Sequence, residues 1–329
     1  MLLEKGYNVD NKIKAMDLME EAIESKNPKV QLELLEKAKN LDPDNLDIYS
    51  SWALVNYDDF KAYELIKEAT DKYYSKNCEE IKEQGYYDID NRPYFRSLKL
   101  LMEFYIKELL YKKAEDIGNA ILRDNSNDNL GARYKMMSIY TNSYQYKKAI
   151  EFFNKNENYE EDEQMLVYMI TVLVFDGNES YAQQLLEKLV SILPDICEFF
   201  LAEDFERFRI LSNYPNQYYS PRSKGSLAIP LSEISYLLDK SRYLYNFFRN
   251  SLMEINPRYF RIRGYTKLLQ KSEIFKDISD TVVLRLFEKK LMTLEDFKNV
   301  TEKEVLTLDG IGPVTIKKLK DNGIKFKED

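Results

Sequence analysis

Apolar positions between 130 and 194 repeat themselves. Met136, Tyr140, Ala149 and Phe153 stand at spacings found again at Met169, Leu173, Ala182 and Leu186, a shift of 33 residues. A shift of 35 residues in the other direction finds Leu101, Tyr105, Ala114 and Gly118. The apolar residues within each copy fall three and four apart, the period of a helix with one buried face. Each copy therefore predicts two antiparallel helices. Neither helix can bury its apolar face alone, so successive copies stack on a shared core. Ala114, Ala149 and Ala182 mark where the second helix passes closest to the first. The expected fold class is all-α.

The same pattern extends outward. Residues 11–25 read as a helix with Ala15, Leu18, Met19 and Ala22 on one face. Asn27-Pro28 interrupts it, and 30–41 forms its partner through Leu32, Leu35 and Ala38. Residues 46–72 predict a second pair, with Trp52 and Ala53 facing Ala62, Leu65, Ile66 and Ala69. Residues 77–91, with Gly85-Tyr86-Tyr87, depart from the period and read as an irregular helix or insertion. Regular units follow at about 95–129, 130–162 and 163–196. Between the first two, Asn125 to Asn129 favour a turn because Asn and Asp side chains bond nearby backbone N–H groups, and Gly131 implies a close approach of backbones. Another helix opens at 195–211, and 212–226, with Pro215, Pro221 and Gly225, predicts a long surface loop. One long helix over 230–253 is expected to cap the stack. Residues 1–255 thus form one domain, 256–274 a basic linker, and 275–329 a small helical domain.

Composition narrows the function. The 26 tyrosines and 17 phenylalanines suit a thin helical core. The chain has no histidine, which removes Ser-His-Asp and Cys-His nucleophiles and most catalytic zinc sites. Cys78 and Cys197 make no metal pattern and read as thiols of a reducing compartment. The acidic runs Glu20-Glu21 and 160–163 read as solvated surface rather than paired catalytic carboxylates. No catalytic residue, metal site or cofactor is expected. With no apolar run of signal-peptide length at the start and no span of roughly 18 apolar residues, a cytoplasmic protein is expected. Charge is uneven: residues 239–329 hold 19 basic and 14 acidic residues, the remainder 29 and 42. An acidic body with a mildly basic tail suggests two roles on one chain.

A period of this size, with a large apolar residue early, Ala in the middle and Pro194 at the end, resembles the tetratricopeptide repeat. Arg92-Pro93-Tyr94, then Asn127-Asp128-Asn129 with Gly131 and Arg133, then Tyr218-Tyr219-Ser220-Pro221 resemble bacterial tetratricopeptide proteins related to the suppressor of tumorigenicity 7 family. The likeness spans about 92–240, with Ser126 where that family usually has proline. It implies an α-solenoid and a role in protein interaction. On that pattern the first helix of each unit lines a groove for a protein or peptide. The exposed groove positions are expected to be Arg96, Lys99, Glu103, Lys107, Tyr134, Ser138, Asn142, Gln164 and Thr171, a set suited to an extended or acidic segment.

The tail has its own signature. Thr293-Leu294-Glu295-Asp296 and Thr301-Glu302-Lys303-Glu304 each open a short helix, the second with a capping box. Gly310-Ile311-Gly312-Pro313 then joins two helices and resembles a helix-hairpin-helix motif. The order of elements before it is similar to the C-terminal domain of the RNA polymerase alpha subunit. Residues 286–297 offer a degenerate second copy, with Lys289-Lys290 in place of the glycine turn. The resemblance assigns Gly310 and Gly312 to a turn that approaches a phosphate, Val314 and Thr315 to backbone donation, and Lys317 and Lys318 to flanking charge. The position matching the polymerase domain's DNA-contacting arginine holds Thr281. The expected function is a non-enzymatic adaptor whose solenoid binds a protein and whose tail contacts DNA or other nucleic acid through its backbone. The second reading is a pure protein scaffold whose tail docks another protein. The sequence leaves the partner and the oligomeric state open.

Overall fold

Short polar side chains set the helix starts. Asn27, Asn45 and Asp59 accept backbone N–H bonds from Lys29, Asp47 and Lys61 at 3.0, 3.1 and 2.9 Å, opening three successive helices. The computed structural model describes residues 2–56, 59–202, 205, 207, 210, 219–257, 259–260 and 273–328. Its helices are α1 (Leu2–Glu24), α2 (Pro28–Leu41), α3 (Leu46–Val55), α4 (Phe60–Gln84), α5 (Arg92–Lys107), α6 (Tyr111–Asp124), α7 (Ala132–Asn142), α8 (Tyr146–Phe153), α9 (Glu163–Phe175), α10 (Glu179–Ile192), α11 (Ile196–Phe199), α12 (Lys224–Glu233), α13 (Ser235–Lys240), α14 (Arg242–Ile255), α15 (Asp280–Glu288), α16 (Leu294–Phe297), α17 (Glu302–Leu306) and α18 (Pro313–Asp321). The described residues contain no strand, and none of their helices is long and apolar enough to cross a membrane. The fold is all-α. The linker at 256–274 lies largely outside the described residues, as does most of the predicted loop at 212–226.

Two compact units divide the chain, Met1–Phe152 and Phe153–Asp329. In the first, each of α1 to α7 packs on its neighbour in sequence, and α3 also touches α1 and α5. Ala15, Ala22, Leu35 and Ala38 close the first pair, which is the expected apolar face. Ala114 and Ala149 are fully buried, as their small size requires. The irregular stretch is a kink at Asn77 in α4 followed by a short 3-10 turn at Gly85–Tyr87. Gly85 has φ 55°, and a Cβ there would collide with the Asp124 carbonyl oxygen. The close backbone approach is therefore at Gly85. Gly131 instead serves a left-handed φ of 69°, and its nearest neighbour is the Tyr134 ring.

One turn recurs. Leu109, Tyr144 and Gly177 take left-handed conformations, with φ of 58°, 59° and 79°. In each case the next N–H returns to the helix: Leu110 to Tyr105 O at 2.7 Å, Gln145 to Tyr140 O at 2.9 Å, and Asn178 to Leu173 O at 2.8 Å. This six-residue closure satisfies a terminal carbonyl that the helix itself leaves open. The spacing of the turns follows that of the apolar residues.

The second unit is centred on α9, which is buried from Glu163 to Val174. Helices α10, α12 and α14 pack against it. The single helix expected at 230–253 is three helices. The first begins at Lys224, ahead of Pro230, through a Ser223–Ser226 capping box, and Ser241 caps the last by accepting from Leu244 N–H at 3.1 Å. Residues of the tail make a cluster of their own around Phe275, Val283, Leu286, Phe297, Val305 and Leu319.

Candidate functional site

The tail hairpin is built by three local choices. Thr301 and Glu304 cap α17 reciprocally, as the sequence suggested. Thr307 Oγ1 donates to Glu304 O at 2.7 Å as that helix ends. Ile311 then turns inward to the tail core, 6 % exposed, with its N–H on Leu308 O at 3.0 Å. The two flanking glycines differ in role. Gly310 has φ 77°, and a Cβ there would collide with the Arg285 guanidinium. Gly312 has φ −118° and ψ 179°, extended backbone open to any residue, and a Cβ there would meet nothing within 4 Å. The fold therefore favours glycine at 310 and leaves open space at 312.

Pro313 begins α18, where its missing N–H costs the helix nothing. Among the described residues, the N–H groups of Gly312 and Val314 make no hydrogen bond, and Val314 is 71 % exposed. Thr315 differs from the expectation. Its N–H bonds Gly312 O at 2.9 Å, because the first turn of α18 closes tightly, so backbone donation falls to Gly312 and Val314. Lys318 also differs, since its Nζ donates to Asp277 O at 2.9 Å and ties α18 to the start of the tail. Asn322 Nδ2 strengthens that tie at Lys276 O, 2.8 Å. Lys317 is exposed and, among the described residues, has no hydrogen bond or ion pair. Sequence reasoning missed Arg285, which pairs with Asp309 at 2.9 Å beside the turn. Its position on α15, 24 residues before its partner, gave no local signal.

Charge is also distributed differently from the simple tail count. Residues 275–329 hold 11 basic and 11 acidic residues, and the excess of five lies on 239–274. Asp309, 95 % exposed by its side chain, stands at the hairpin tip.

The expected groove is only partly open. In the first unit Arg96 and Lys107 are exposed, while Lys99, Glu103, Tyr134 and Asn142 are half-buried. Arg96 grips Asp47 with two bonds, at 2.9 and 2.6 Å. The Arg133 guanidinium covers the Tyr134 ring at 4.2 Å. Ser138, Gln164 and Thr171 are buried, which corrects their assignment as exposed. Ser138 lies in the run 136–141 of α7, enclosed throughout, and receives Asn142 Nδ2 at its carbonyl, 3.0 Å. Gln164 Nε2 donates to the Tyr219 hydroxyl at 2.9 Å, and Thr171 Oγ1 to Val167 O at 2.9 Å. The chain itself covers these two. Arg222 N–H bonds Glu163 at 2.7 Å, Tyr168 O–H bonds Glu233 at 2.6 Å, and α12 lies on α9.

Elsewhere burial pushes Tyr140 and Cys197 up in pKa, Cys197 to about 11. Comparison with protein families and with curated proteins finds no match to this chain.

Proposed function

We propose that the chain is a non-enzymatic cytoplasmic adaptor, with a tetratricopeptide-like solenoid that holds a protein or peptide and a helix-hairpin-helix tail that contacts nucleic-acid backbone. The observation that carries it is the hairpin. Two N–H groups with no hydrogen bond among the described residues, those of Val314 and of Gly312, a glycine that the fold does not require, stand at the start of a nine-residue helix. Such a place suits one phosphate, held by backbone donors and the helix dipole. Lys317 adds charge on the next turn, and the basic residues of 239–274 supply the longer-range attraction. Phosphate contacts carry no sequence information, so binding is non-specific. The spacing of the turns at Leu109, Tyr144 and Gly177, 35 and 33 residues apart, supports the stacked-repeat reading of the body. There the partner meets Arg96, Lys99, Glu103, Lys107, Tyr134 and Asn142.

Fluorescence anisotropy of a labelled duplex with the full chain tests the tail. Binding is expected at about 10⁻⁴ to 10⁻⁶ M, with a log–log salt slope of roughly −2 to −3 for two or three phosphates. Lys317→Glu should weaken it without loss of helical signal. Absence of binding at low salt refutes the nucleic-acid role. The second reading, a tail that docks a protein, draws on the equal charge count of 275–329 and the exposed Asp309.

A further inference from the structure

Two of the recurring turns break local rules in the same way. Their left-handed residues are Leu109 and Tyr144, where the third turn has Gly177. A β-carbon is strained in that conformation, and glycine is the usual solution. Both side chains are nevertheless large and left in solvent, 68 and 60 % exposed. Each turn then leads into the same four residues, Tyr111-Lys112-Lys113-Ala114 and Tyr146-Lys147-Lys148-Ala149. Those lysine pairs occupy the first turns of α6 and α8, and neither turn holds an acidic residue. The helix dipole disfavours cations there. Strain, exposed apolar surface and misplaced charge coincide twice, 35 residues apart. Local rules broken together mark a surface kept for something other than stability.

The two copies lie side by side. Lys148 Nζ on α8 reaches the Glu115 carboxylate on α6 at 2.8 and 3.1 Å. The Tyr144 and Tyr146 rings meet edge to face at 6.1 Å. Burial first, and then the nearby Tyr144, push the Tyr111 hydroxyl pKa up. Leu109, Tyr111, Tyr144 and Tyr146 therefore share one edge of the first unit. The segments 107–116 and 144–151 hold Lys107, Lys112, Lys113, Lys147 and Lys148 against Glu108, Glu115, Asp116 and Glu151. Lys112 pairs with Asp116 at 2.9 Å and Lys148 with Glu115, while Lys113 and Lys147 are exposed and make no ion pair among the described residues. The balance is positive, on a stretch (1–238) where acidic residues outnumber basic ones by 13.

We infer that this edge docks an acidic protein segment bearing apolar side chains, which cover Leu109 and Tyr144 while its carboxylates meet Lys113 and Lys147. Charge sign selects the acidic partner. A peptide fits better than single-stranded nucleic acid, which needs ring faces presented in series. Leu109 has no ring, Tyr111 and Tyr146 are half-buried, and Tyr144 stands edge-on to Tyr146.

The test titrates the full chain into a fluorescein-labelled peptide of three Asp-Glu-Leu-Phe repeats. Controls are the same peptide with Ser for Leu and Phe, and an oligothymidine. The first peptide should bind saturably and release at high salt, and the serine peptide should bind about tenfold more weakly or not at all. The double variant Leu109→Gly/Tyr144→Gly should lose about tenfold in affinity while its Tm stays level or rises, because glycine relieves the strain. That opposite movement separates lost docking from lost folding. Lys113→Glu/Lys147→Glu should weaken binding as well. Failure of the first peptide to bind, equal binding by the glycine double variant, or equal binding of the serine peptide overturns the inference. Binding of the oligothymidine that the glycine double variant abolishes overturns the choice of peptide.

Discussion

Replacing Gly310 and Gly312 separately by alanine should move stability in opposite directions. At Gly310 the φ of 77° costs an alanine roughly 1–2 kcal/mol. Its Cβ also displaces the Arg285 guanidinium, a flexible end whose pairing with the exposed Asp309 is worth about 0.2–1 kcal/mol. The sum is about 1–3 kcal/mol of destabilisation. At Gly312 the backbone is extended and the space is open, so only the unfolded chain is affected. Restricting it stabilises by about 0.4–1 kcal/mol. Binding should follow the other order. In the proposed complex the Gly312→Ala methyl group would stand in the path of the phosphate, and one lost charge-assisted hydrogen bond, about 1.5–3 kcal/mol, should weaken binding tenfold or more. Hydrogen exchange of peptides covering 302–321 reads the stability order, and duplex anisotropy reads the affinity. The hairpin geometry is wrong if Gly312→Ala speeds exchange more than Gly310→Ala. The phosphate assignment is wrong if Gly312→Ala binds as the parent does.

Three further outcomes follow from single residues. Asp128→Ala removes the acceptor of Ala132 and Arg133 N–H groups, at 2.6 and 3.0 Å, and of Arg133 Nη1. It should cost about 2–3 kcal/mol in denaturant unfolding, and an unchanged midpoint would contradict the cap. Ala149→Leu overpacks a fully buried position and should lower thermal stability by about 1–3 kcal/mol, whereas Lys147→Leu, exposed on the same turn, should not. Burial raises the Cys197 thiol from 9.0 to about 11. The native fold thus holds this proton more tightly than the unfolded chain, so the associated stability is intact below pH 9 and falls as pH climbs toward 11. Thiol labelling at pH 8 should leave Cys197 unmodified until the chain unfolds, and prompt labelling would show that the site is open.

The regular units were legible because apolar period and boundary residues agreed. Predicted pairs at 95–129, 130–162 and 163–196 correspond to α5–α6, α7–α8 and α9–α10. Helix ends away from apolar residues were less visible. The first helix starts at Leu2 rather than 11, and α4 runs on to Gln84 past the kink at Asn77, with Ile81 buried on a face out of step with the apolar residues before it. Pro230, the expected start of the capping helix, lies inside α12. Ser241, three residues before Leu244, was a capping signal inside the predicted long helix.

The groove misassignment has a readable cause. Residues 165–175 are an almost unbroken apolar run, and a helix apolar on every side is buried on every side. The register alone puts Gln164 and Thr171 on the groove side, while Gln164 is covered by Tyr219, 55 positions later, and Thr171 lies within the apolar run itself. In the tail, the glycine hairpin and the Thr301–Glu304 capping box stood in the sequence, and Thr293 and Asp296 form a second box where only a helix start was expected. The Asp277 carbonyl that holds Lys318 and the Arg285–Asp309 pair are long-range contacts without a local pattern.

The most direct test of the adaptor reading is amide hydrogen exchange of Gly312 and Val314, observed by NMR with and without duplex DNA. Neither N–H has a partner among the described residues, so both should exchange rapidly in the chain alone. Addition of duplex should slow both amides, with Ile316, already bonded to Gly312 O at 3.1 Å, changing little. If saturating duplex leaves Gly312 and Val314 as fast as before, the hairpin does not hold a phosphate and the nucleic-acid role of the tail is contradicted.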